Sequence, residues 1–333
     1  ALRQYKEKAT LADFCFFFYN WLLNQPDYQA PLFTALAGLF TTAPDTLLPP
    51  GLTSRLYTKN GFLSGSVTRF EEFHNCPFKH FANYALKLSE RREFSFAAPD
   101  RGILLHETMR TFGELLLQQK RRWNEITRQE RHVLCQKIVA ELSSRLQNKI
   151  LLSTRQYHHL TKRIAQTAEQ AINRLSEFSA HSDFSSFFLE KAFGAGSISL
   201  PPLIYDLDNN HKISLIGQID RIDADSSGRY FLIIDYKSGN AYINLTEVYY
   251  GLRLQLLTYL LAVQNGAQNL KLAADTIPAG ILYCFLKSTL LTFDRQVSDE
   301  QIKTELIKRM RMPGWVLMDP DVIKKIDDSA SFI

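Results

Sequence analysis

The sequence predicts an α/β protein in which helices flank a mixed β-sheet. Two strand-like runs separated by a polar turn lie in the second half of the chain, at 213–220 and 230–236. A third apolar run follows at 281–286, and stretches with helical periodicity lie before and between these runs. Helices placed in this way among the strands are expected to cover the sheet and bury its apolar side chains.

The composition is that of a folded, soluble protein. Hydrophobic residues make up 45% of the chain and aromatic residues 12%, which excludes a disordered or fibrous protein. The net charge of +5 is only a weak indication of polyanion binding. The apolar run at 14–23 is too short to cross a bilayer, so no membrane association is expected. The cysteines are too few and too scattered for a secreted disulfide framework, which favours a cytoplasmic location: Cys15, Cys76, Cys135 and Cys284.

Residues 1–60 are predicted to be a connecting segment from a preceding domain. The chain begins with Ala1 instead of Met, which indicates a piece of a longer protein. No G-x-x-x-x-G-K-[ST] motif occurs in it, so an ATP-driven motor is not part of this piece. The segment has helical character up to Asn24, after which a loop is favoured by Pro26, Pro31, Pro44, Pro49 and Pro50.

Residues 61–185 are predicted to be mainly helical. Thr68 and Glu71 have the spacing of a capping box, and Pro77 suits the first turn of a second short helix. A longer helix is predicted over 102–119, with His106 at the edge of an apolar stripe. That stripe consists of Leu105, Met109, Phe112 and Leu116.

Residues 120–180 contain neither Gly nor Pro and have periodic apolar residues, which predicts long amphipathic helices inserted before the sheet. Their cations either face solvent or contact a phosphate backbone: Arg155, Lys162, Arg163 and Arg174.

Further strands are predicted at 188–193 and 198–205, where Glu190 is either an edge charge or directed at a site. Asn244 and Glu247 are expected to cap a buried helix that reaches position 263. Gln255 and Tyr259 share one face of that helix, as a polar seam or as part of a site. Another helix is predicted to about position 311, capped by Ser298 and Gln301.

The runs at 213–220 and 230–236 predict a β-hairpin. If Ala224 pairs with Arg229, Asp220 and Asp235 are diagonal neighbours on one face of the sheet, and Lys237 shares that face. The turn between the strands consists of Asp225, Ser226, Ser227 and Gly228.

Two carboxylates and one ammonium on the same face are the groups that a metal-dependent phosphodiesterase needs. The carboxylates can share a divalent metal, and the lysine can position water or offset charge on phosphate. The alternative is a surface hairpin with solvated charges. The apolar residues 231–234 immediately before Asp235 favour the buried site, because a buried charge has to be paired or metal-bound.

GQIDRID at 217–223 followed by IDYKSG at 234–239 resembles the PD-(D/E)XK nucleases, in the branch that contains the RecB nuclease domain. SVTRFEEFHNCPF at 66–78, GILLHE at 102–107 and YGLRLQLLTY at 250–259 are similar to the C-terminal region of AddB and RexB, which belong to bacterial helicase-nucleases. The resemblance is specific because these separated motifs occur in order along the chain. The resemblance assigns 61–333 to a nuclease domain, with 61–185 mainly helical and 186–333 forming the sheet core.

This resemblance implies a restriction-endonuclease-like core with a helical N-terminal part and a helical insertion. It also implies a DNA exonuclease of double-strand-break repair by recombination, which acts on a single strand and pairs with the A subunit of the helicase-nuclease. The implied cofactor is Mg²⁺, for which Mn²⁺ can substitute. The implied metal ligands are His106, Asp220, Asp235 and the carbonyl of Tyr236, and the implied catalytic residues also include Lys237, Gln255 and Tyr259.

Cys76 raises the question of an iron-sulfur cluster. In many AddB relatives the cysteine at this position joins three clustered cysteines further along the chain. No such group follows here, and Cys284 lies alone in an apolar run. No iron-sulfur cluster is therefore expected in this chain.

Two other functions fit parts of the pattern. A silent nuclease fold can bind DNA or hold subunits together, but it has no need for a lysine beside two buried aspartates. A glycosidase uses paired carboxylates, which leaves Lys237 and His106 without a role.

Overall fold

The computed structural model describes residues 9–40, 47–58, 61–89, 96–145, 151, 154–194, 196, 200–207, 211–273, 275–287 and 298–333. The chain divides into two units, Ala1–Thr53 and Ser54–Ile333. Within the described ranges, no helix is both long and apolar enough to cross a membrane.

The described part of the first unit contains the helices α1 (Ala9–Leu23) and α2 (Pro26–Phe40). The loop predicted after Asn24 is therefore wrong. Pro26 takes the first position of α2, where a backbone N–H would have no helical partner. Pro31 lies inside α2 and removes only one backbone hydrogen bond from it. A third helix, α3, follows at Pro50–Tyr57, and Pro44 lies outside the described residues.

The remaining helices belong to the second unit. A π-helical turn follows the second of them, and 3₁₀ turns lie at Trp123–Glu125 and Ala267–Leu270. The helices are α4 (Val67–Asn75), α5 (Pro77–His80), α6 (Ala98–Gln118), α7 (Arg128–Arg145), α8 (Arg155–Ala180), α9 (Leu245–Tyr249), α10 (Gln255–Asn265), α11 (Asp299–Met310) and α12 (Pro320–Ile326).

The described strands of the second unit form one mixed sheet with the order β1-β4-β5-β6-β7, and β2 and β3 also pair with β4. The β1–β4 and β5–β6 pairs are parallel, whereas the other pairs are antiparallel. The predicted mixed sheet flanked by helices, with a helical N-terminal part, is confirmed. The strands are β1 (Phe62–Ser66), β2 (Ser185–Phe193), β3 (Leu203–Asp206), β4 (Lys212–Ala224), β5 (Tyr230–Lys237), β6 (Ile277–Phe285) and β7 (Gly314–Val316).

The alternation of side chains along β5 separates two hydrophobic cores. Leu232, Ile234 and Tyr236 belong to the core that contains α6, α7 and α8. Residues 231 and 233 belong to the core that contains α10. Because successive side chains in a strand point to opposite faces, Asp235 and Lys237 lie on the α10 side of the sheet.

The hairpin of β4 and β5 forms, but its register differs by two residues from the predicted pairing of Ala224 with Arg229. Ala224 pairs with Phe231 instead. The loop begins one residue later than predicted, because the backbone N–H of Asp225 still donates to the carbonyl of Tyr230 at 3.0 Å. A shift of two residues keeps every side chain on its face of the sheet, so Asp220 and Asp235 still lie on the same face, as predicted.

Helix α4 begins before the predicted capping box. Ser66 is its N-cap, and its Oγ accepts a hydrogen bond of 3.3 Å from the N–H of Arg69. Thr68 and Glu71 therefore do not cap this helix, and the Glu71 carboxylate is used elsewhere. The capping box predicted with Ser298 and Gln301 does form, at the start of α11.

The helix predicted from Asn244 to position 263 is interrupted. Asn244 caps only α9, with its Oδ1 accepting from the N–H of Thr246 at 2.8 Å. The chain then turns at Gly251, which has φ of +72° and packs against His74. Helix α10 starts afresh at Gln255, because a left-handed residue ends the preceding helical turn.

A buried ion pair lies in β4 beside the site. Arg221 donates from Nε and Nη2 to the two carboxylate oxygens of Asp223, both at 2.6 Å. The side chains are 1% and 0% exposed. The guanidinium also lies over the ring of Trp123, with 4.9 Å between its central carbon and the ring centroid. This pair is structural, since both side chains are enclosed by the core.

The insertion between β1 and β2 contains α7 and α8, as predicted. Of the four cations named for it from the sequence, Arg174 is buried and donates from Nη1 to the carbonyl of Phe285 at 2.9 Å. It therefore holds α8 against β6 and cannot contact a phosphate backbone. Arg155, Lys162 and Arg163 are exposed.

Candidate active site

Two aspartates on neighbouring strands form the centre of the site. Asp220 lies in β4 and Asp235 in β5, and the next pair in the hairpin register would place them opposite each other. The Asp220 Oδ2 accepts a hydrogen bond of 2.7 Å from the backbone N–H of Tyr236, which fixes this carboxylate against β5. The side chains are 12% and 1% exposed, so both charges are largely removed from water.

Asp235 has unsatisfied oxygens. Its Oδ2 forms an ion pair with Lys237 Nζ at 2.5 Å. Apart from this ion pair, neither of its carboxylate oxygens accepts a hydrogen bond from the residues that the structure describes. Buried polar atoms are normally hydrogen-bonded or bound to an ion, so this carboxylate is available as a ligand.

The ammonium of Lys237 is held by a chain of hydrogen bonds. Its Nζ donates to Oε1 of Gln255 at 2.8 Å. The amide nitrogen of Gln255 donates in turn to the hydroxyl of Tyr259 at 2.8 Å. Gln255 and Tyr259 lie one turn apart in α10 and share one face, as their spacing predicted. Their side chains form a polar chain that contacts Lys237 through Gln255.

Glu71 fixes the start of α10. Its Oε1 accepts hydrogen bonds from the backbone N–H groups of Leu254 and Gln255, at 2.6 and 3.1 Å. The carboxylate of a residue in α4 therefore satisfies two N–H groups at the N-terminal end of a helix 183 positions further along the chain. Gln255 is thereby held at both its backbone and its side chain.

His106 reaches the carboxylates from α6. Its Nδ1 lies 3.5 Å from Oδ2 of Asp220. Its ring contacts the ring of Tyr236 edge to face, with 6.0 Å between centroids. Burial lowers the pKa of His106, although the charge of Asp235 opposes this. A neutral imidazole offers a lone pair to a metal, so the lowered pKa favours the form that binds.

Glu190 joins the same group from β2. It lies between the Leu189–Arg221 and Lys191–Ile219 pairs, which places it across from Asp220. Atoms of His106, Glu190 and Asp220 that can bind a metal all lie within 4.8 Å of one another. Glu190 has φ of +47°, a left-handed conformation that is strained in a residue with a side chain.

The carboxylates repel one another and are poorly solvated. Burial raises the pKa of Asp220 and of Asp235, and for Asp235 the charge of Asp220 adds to the effect. Burial also raises the pKa of Glu190 to about 8, with a further contribution from Asp220. Lys237 lowers the pKa of both aspartates but does not cancel the effect of burial.

This donor set fits a divalent cation. The carboxylates of Glu190 and Asp220 converge with the imidazole of His106. The buried carboxylate of Asp235, whose one partner among the described residues is the lysine, lies on the neighbouring strand, across from Asp220. A cation would provide the missing partner of Asp235 and would offset the burial, and the smaller repulsion, that raise the pKa values of the carboxyl groups. Oxygen ligands suit Mg²⁺, and the additional imidazole suits Mn²⁺.

The structure brings together the residues named from the sequence as a site. Asp235 and Lys237 at the end of β5 meet Asp220 from within β4 and His106 from within α6, and Tyr236 contributes its backbone N–H beside them. From the sequence, Glu190 was either an edge charge or directed at a site, and the structure places it beside Asp220. The contact that Glu71 makes with α10 was not evident from the sequence. The only signal for Glu190 was a charge within the apolar run FFLEKAF at 187–193.

Comparison with known proteins agrees with this geometry. A family model described as the PD-(D/E)XK nuclease superfamily matches residues 64–328. Proteins named as the B subunit of an ATP-dependent helicase/deoxyribonuclease are similar to the chain. Those of Desulforamulus reducens, Bacillus mycoides and Alkaliphilus oremlandii are 36%, 35% and 33% identical over 315, 323 and 331 residues. The matches cover 94%, 96% and 98% of this chain.

The chain spans 27–28% of the length of these relatives. The resemblance predicted from the motifs is confirmed by the match over 64–328 and by the relatives. The chain therefore belongs to the PD-(D/E)XK nuclease superfamily.

Proposed function

We propose that this chain is a divalent-metal-dependent nuclease domain that hydrolyses DNA phosphodiesters. The observation that carries the proposal is the buried Asp235 carboxylate, which has no partner but Lys237 among the described residues and lies beside the group of His106, Glu190 and Asp220. Membership of the nuclease superfamily supports the same reaction. The relatives, which are named as subunits of a helicase/deoxyribonuclease, support DNA as the substrate.

The metal would be held by His106, Asp220, Asp235, Glu190 and the carbonyl of Tyr236. Mg²⁺ is the proposed cofactor, and Mn²⁺ would substitute for it because the set contains an imidazole. A bound ion supplies Lewis acidity toward the phosphate and a bound water of lowered pKa.

Lys237 would act on the chemical step. Its ammonium is fixed between Oδ2 of Asp235 and Oε1 of Gln255, so it can position the attacking water or offset charge on the phosphate oxygens. Gln255 and Tyr259 would act as positioning residues, since they hold the amine through a chain of hydrogen bonds and do not supply a charge themselves.

We further propose that the domain is an exonuclease on a single DNA strand within a cytoplasmic helicase-nuclease that processes double-strand breaks for recombination. The relatives are named as B subunits of ATP-dependent helicase/deoxyribonucleases. The corresponding partner is an A subunit in a heterodimer, and the helicase would deliver the strand. The chain spans 27% of the length of the first two relatives, so delivery of DNA depends on parts outside it.

The test combines metal binding with cleavage of single- and double-stranded DNA in Mg²⁺ or Mn²⁺. Asp235→Asn is expected to lose both Mn²⁺ binding, followed by electron paramagnetic resonance, and cleavage. Lys237→Ala is expected to bind Mn²⁺ but to cut about 10²–10³-fold more slowly, the usual cost of losing one such electrostatic contact. Lys212→Ala is the matched control, because that lysine lies in an exposed ion pair with Asp206.

EDTA should abolish cleavage by the unchanged protein. Cleavage that continues in EDTA, or full activity of Asp235→Asn, would remove the metal centre from the proposal. DNA binding without any cleavage would favour a silent nuclease fold that acts as a binding module.

A further inference from the structure

Three polar side chains are enclosed in the core that contains α8 and keep atoms without a hydrogen-bond partner. Arg174, Arg221 and Tyr236 are each only 1% exposed. Nε of Arg174, Nη1 of Arg221 and the hydroxyl of Tyr236 make no hydrogen bond to the residues that the structure describes. Buried polar atoms are normally satisfied by protein, by water or by an ion, so a ligand is expected at these three atoms.

The three side chains come together from neighbouring elements. Arg221 lies in β4, and Tyr236 lies two positions beyond its partner in β5, on the same face of the sheet. Tyr236 pairs with Cys284 of β6, and Nη1 of Arg174 in α8 donates to the carbonyl of Phe285 at 2.9 Å. The side chains of Arg174, Arg221, Tyr236 and Cys284 are hereafter called the polar cluster.

The members of the polar cluster are close enough to act on one another's charge. Burial raises the pKa of the Tyr236 hydroxyl, and the guanidinium of Arg221 opposes that rise. Burial also raises the pKa of the Cys284 thiol, and here both Arg174 and Arg221 oppose it. The hydroxyl and the thiol therefore stay neutral while two guanidinium groups lie beside them.

The polar cluster carries an excess of positive charge. Asp223 accepts two hydrogen bonds from Arg221 and so compensates that guanidinium. Arg174 forms no ion pair within the part of the chain that the structure describes, and donates to a carbonyl instead. The nearest carboxylate in α8, that of Glu177, is exposed. One of the two buried guanidinium charges is therefore without a counter-charge.

A small anion fits these donors better than water does. A buried charge is costly unless it is paired, and a water molecule can satisfy a donor but cannot balance a charge. A monovalent ion accepts hydrogen bonds from guanidinium and hydroxyl groups and restores neutrality with one negative charge. A doubly charged oxyanion would leave the same core with an excess of negative charge.

We propose that the polar cluster binds one chloride ion between Arg174, Arg221 and Tyr236. The ion accepts hydrogen bonds from the three atoms that lack a partner among the described residues. The backbone N–H of Tyr236 also binds the carboxylate of Asp220, so the ion would hold the candidate active site from the opposite face of the sheet. This inference goes beyond the proposed nuclease function and does not depend on it.

Urea unfolding in EDTA tests the ion without DNA or metal, with chloride exchanged for gluconate at a constant sodium concentration. A ligand that binds only the folded chain raises the ratio of folded to unfolded protein. Above the Kd, ten times more chloride should raise this ratio by up to about tenfold. Arg174→Met removes the uncompensated charge and should abolish this dependence, whatever it does to stability itself. Arg155→Met, at an exposed position of the same helix, is the matched control and should retain the dependence.

Crystals of the unchanged protein grown in bromide locate the ion directly, because bromide scatters anomalously. We expect an anomalous peak within hydrogen-bond distance of Nε of Arg174, Nη1 of Arg221 and the hydroxyl of Tyr236. This measurement tests the site even if Arg174→Met does not fold. The absence of a bromide peak there would overturn the ion and leave water as the partner of these groups. An equal dependence on chloride in the unchanged protein and in Arg174→Met would overturn it as well.

Discussion

The buried ion pair of Arg221 and Asp223 allows a quantitative test of what holds β4 in place. Asp223→Leu would leave a guanidinium group in the core that is 1% exposed and has lost both of its 2.6 Å hydrogen bonds. Breaking a buried pair on one side typically costs about 3–5 kcal/mol, since the remaining charge is uncompensated. This cost is a large part of the free energy of unfolding of a typical domain, which is about 5–15 kcal/mol. We expect Asp223→Leu to lower the free energy of unfolding by about 3–5 kcal/mol.

Removing both charges should behave differently. Replacement of a buried ion pair by apolar side chains is often neutral or stabilising by about 1–4 kcal/mol, because two desolvation penalties disappear together. The variant Arg221→Met with Asp223→Leu is therefore expected to regain most of the loss. The exposed pair of Lys212 and Asp206 is the control, and the same replacements there should change stability by less than about 1 kcal/mol.

Urea unfolding followed by circular dichroism, without added metal, measures all of these variants. A loss of less than about 1 kcal/mol in Asp223→Leu would refute the claim that an uncompensated charge remains in the core. A double variant less stable than Asp223→Leu would show instead that the charges themselves stabilise β4.

Three further predictions concern other parts of the chain. Glu71→Ala should cost about 0.5–2 kcal/mol of stability, as the loss of a helix cap does. It should also slow cleavage, because the N-terminal end of α10 and Gln255 are no longer held in place. Cleavage at the unchanged rate would contradict the positioning role of Glu71. Burial and the neighbouring Arg69 lower the pKa of His80, so its contribution to stability should be present above pH 6.5 and be lost as the pH falls below that value. Between pH 7.5 and pH 5.5, the melting temperature of His80→Gln should therefore fall less than that of the unchanged protein. The purified chain should be colourless, because no group of cysteines accompanies Cys76, and stoichiometric iron and sulfide would contradict this.

The placement of Asp220, Asp235 and Lys237 was predictable because side chains in a strand alternate with a period of two. The predicted register was wrong by two residues, but an even shift leaves each of these side chains on its face. His106 was found through a motif and not through geometry, since nothing in its helical periodicity distinguishes a ligand from a residue at the edge of an apolar stripe.

The features of the site that the sequence did not predict depend on contacts between distant segments or on an unusual backbone conformation. Glu71 has the spacing of a local capping box, yet its carboxylate binds the start of α10, because Ser66 already caps α4. Glu190 reaches the site through a left-handed backbone conformation that no propensity for a glutamate would predict. The break at Gly251 depends on close packing against His74, which is visible only in three dimensions.

The contact between Glu71 and α10 also determines when the site can exist during synthesis. Its parts are contributed in order by Glu71, His106, Asp220, Lys237 and finally α10, with 183 positions between the first and the last. A chain that has emerged only as far as β5 has its carboxylates, but its lysine has only Asp235 and not Gln255 as a partner. A ribosome that stalls before Gln255 therefore releases a product with an unfinished centre, and a fragment that starts at 186 lacks the histidine. The proposed nuclease would gain the ability to cut only after α10, which ends at Asn265 of the 333 residues, has been made.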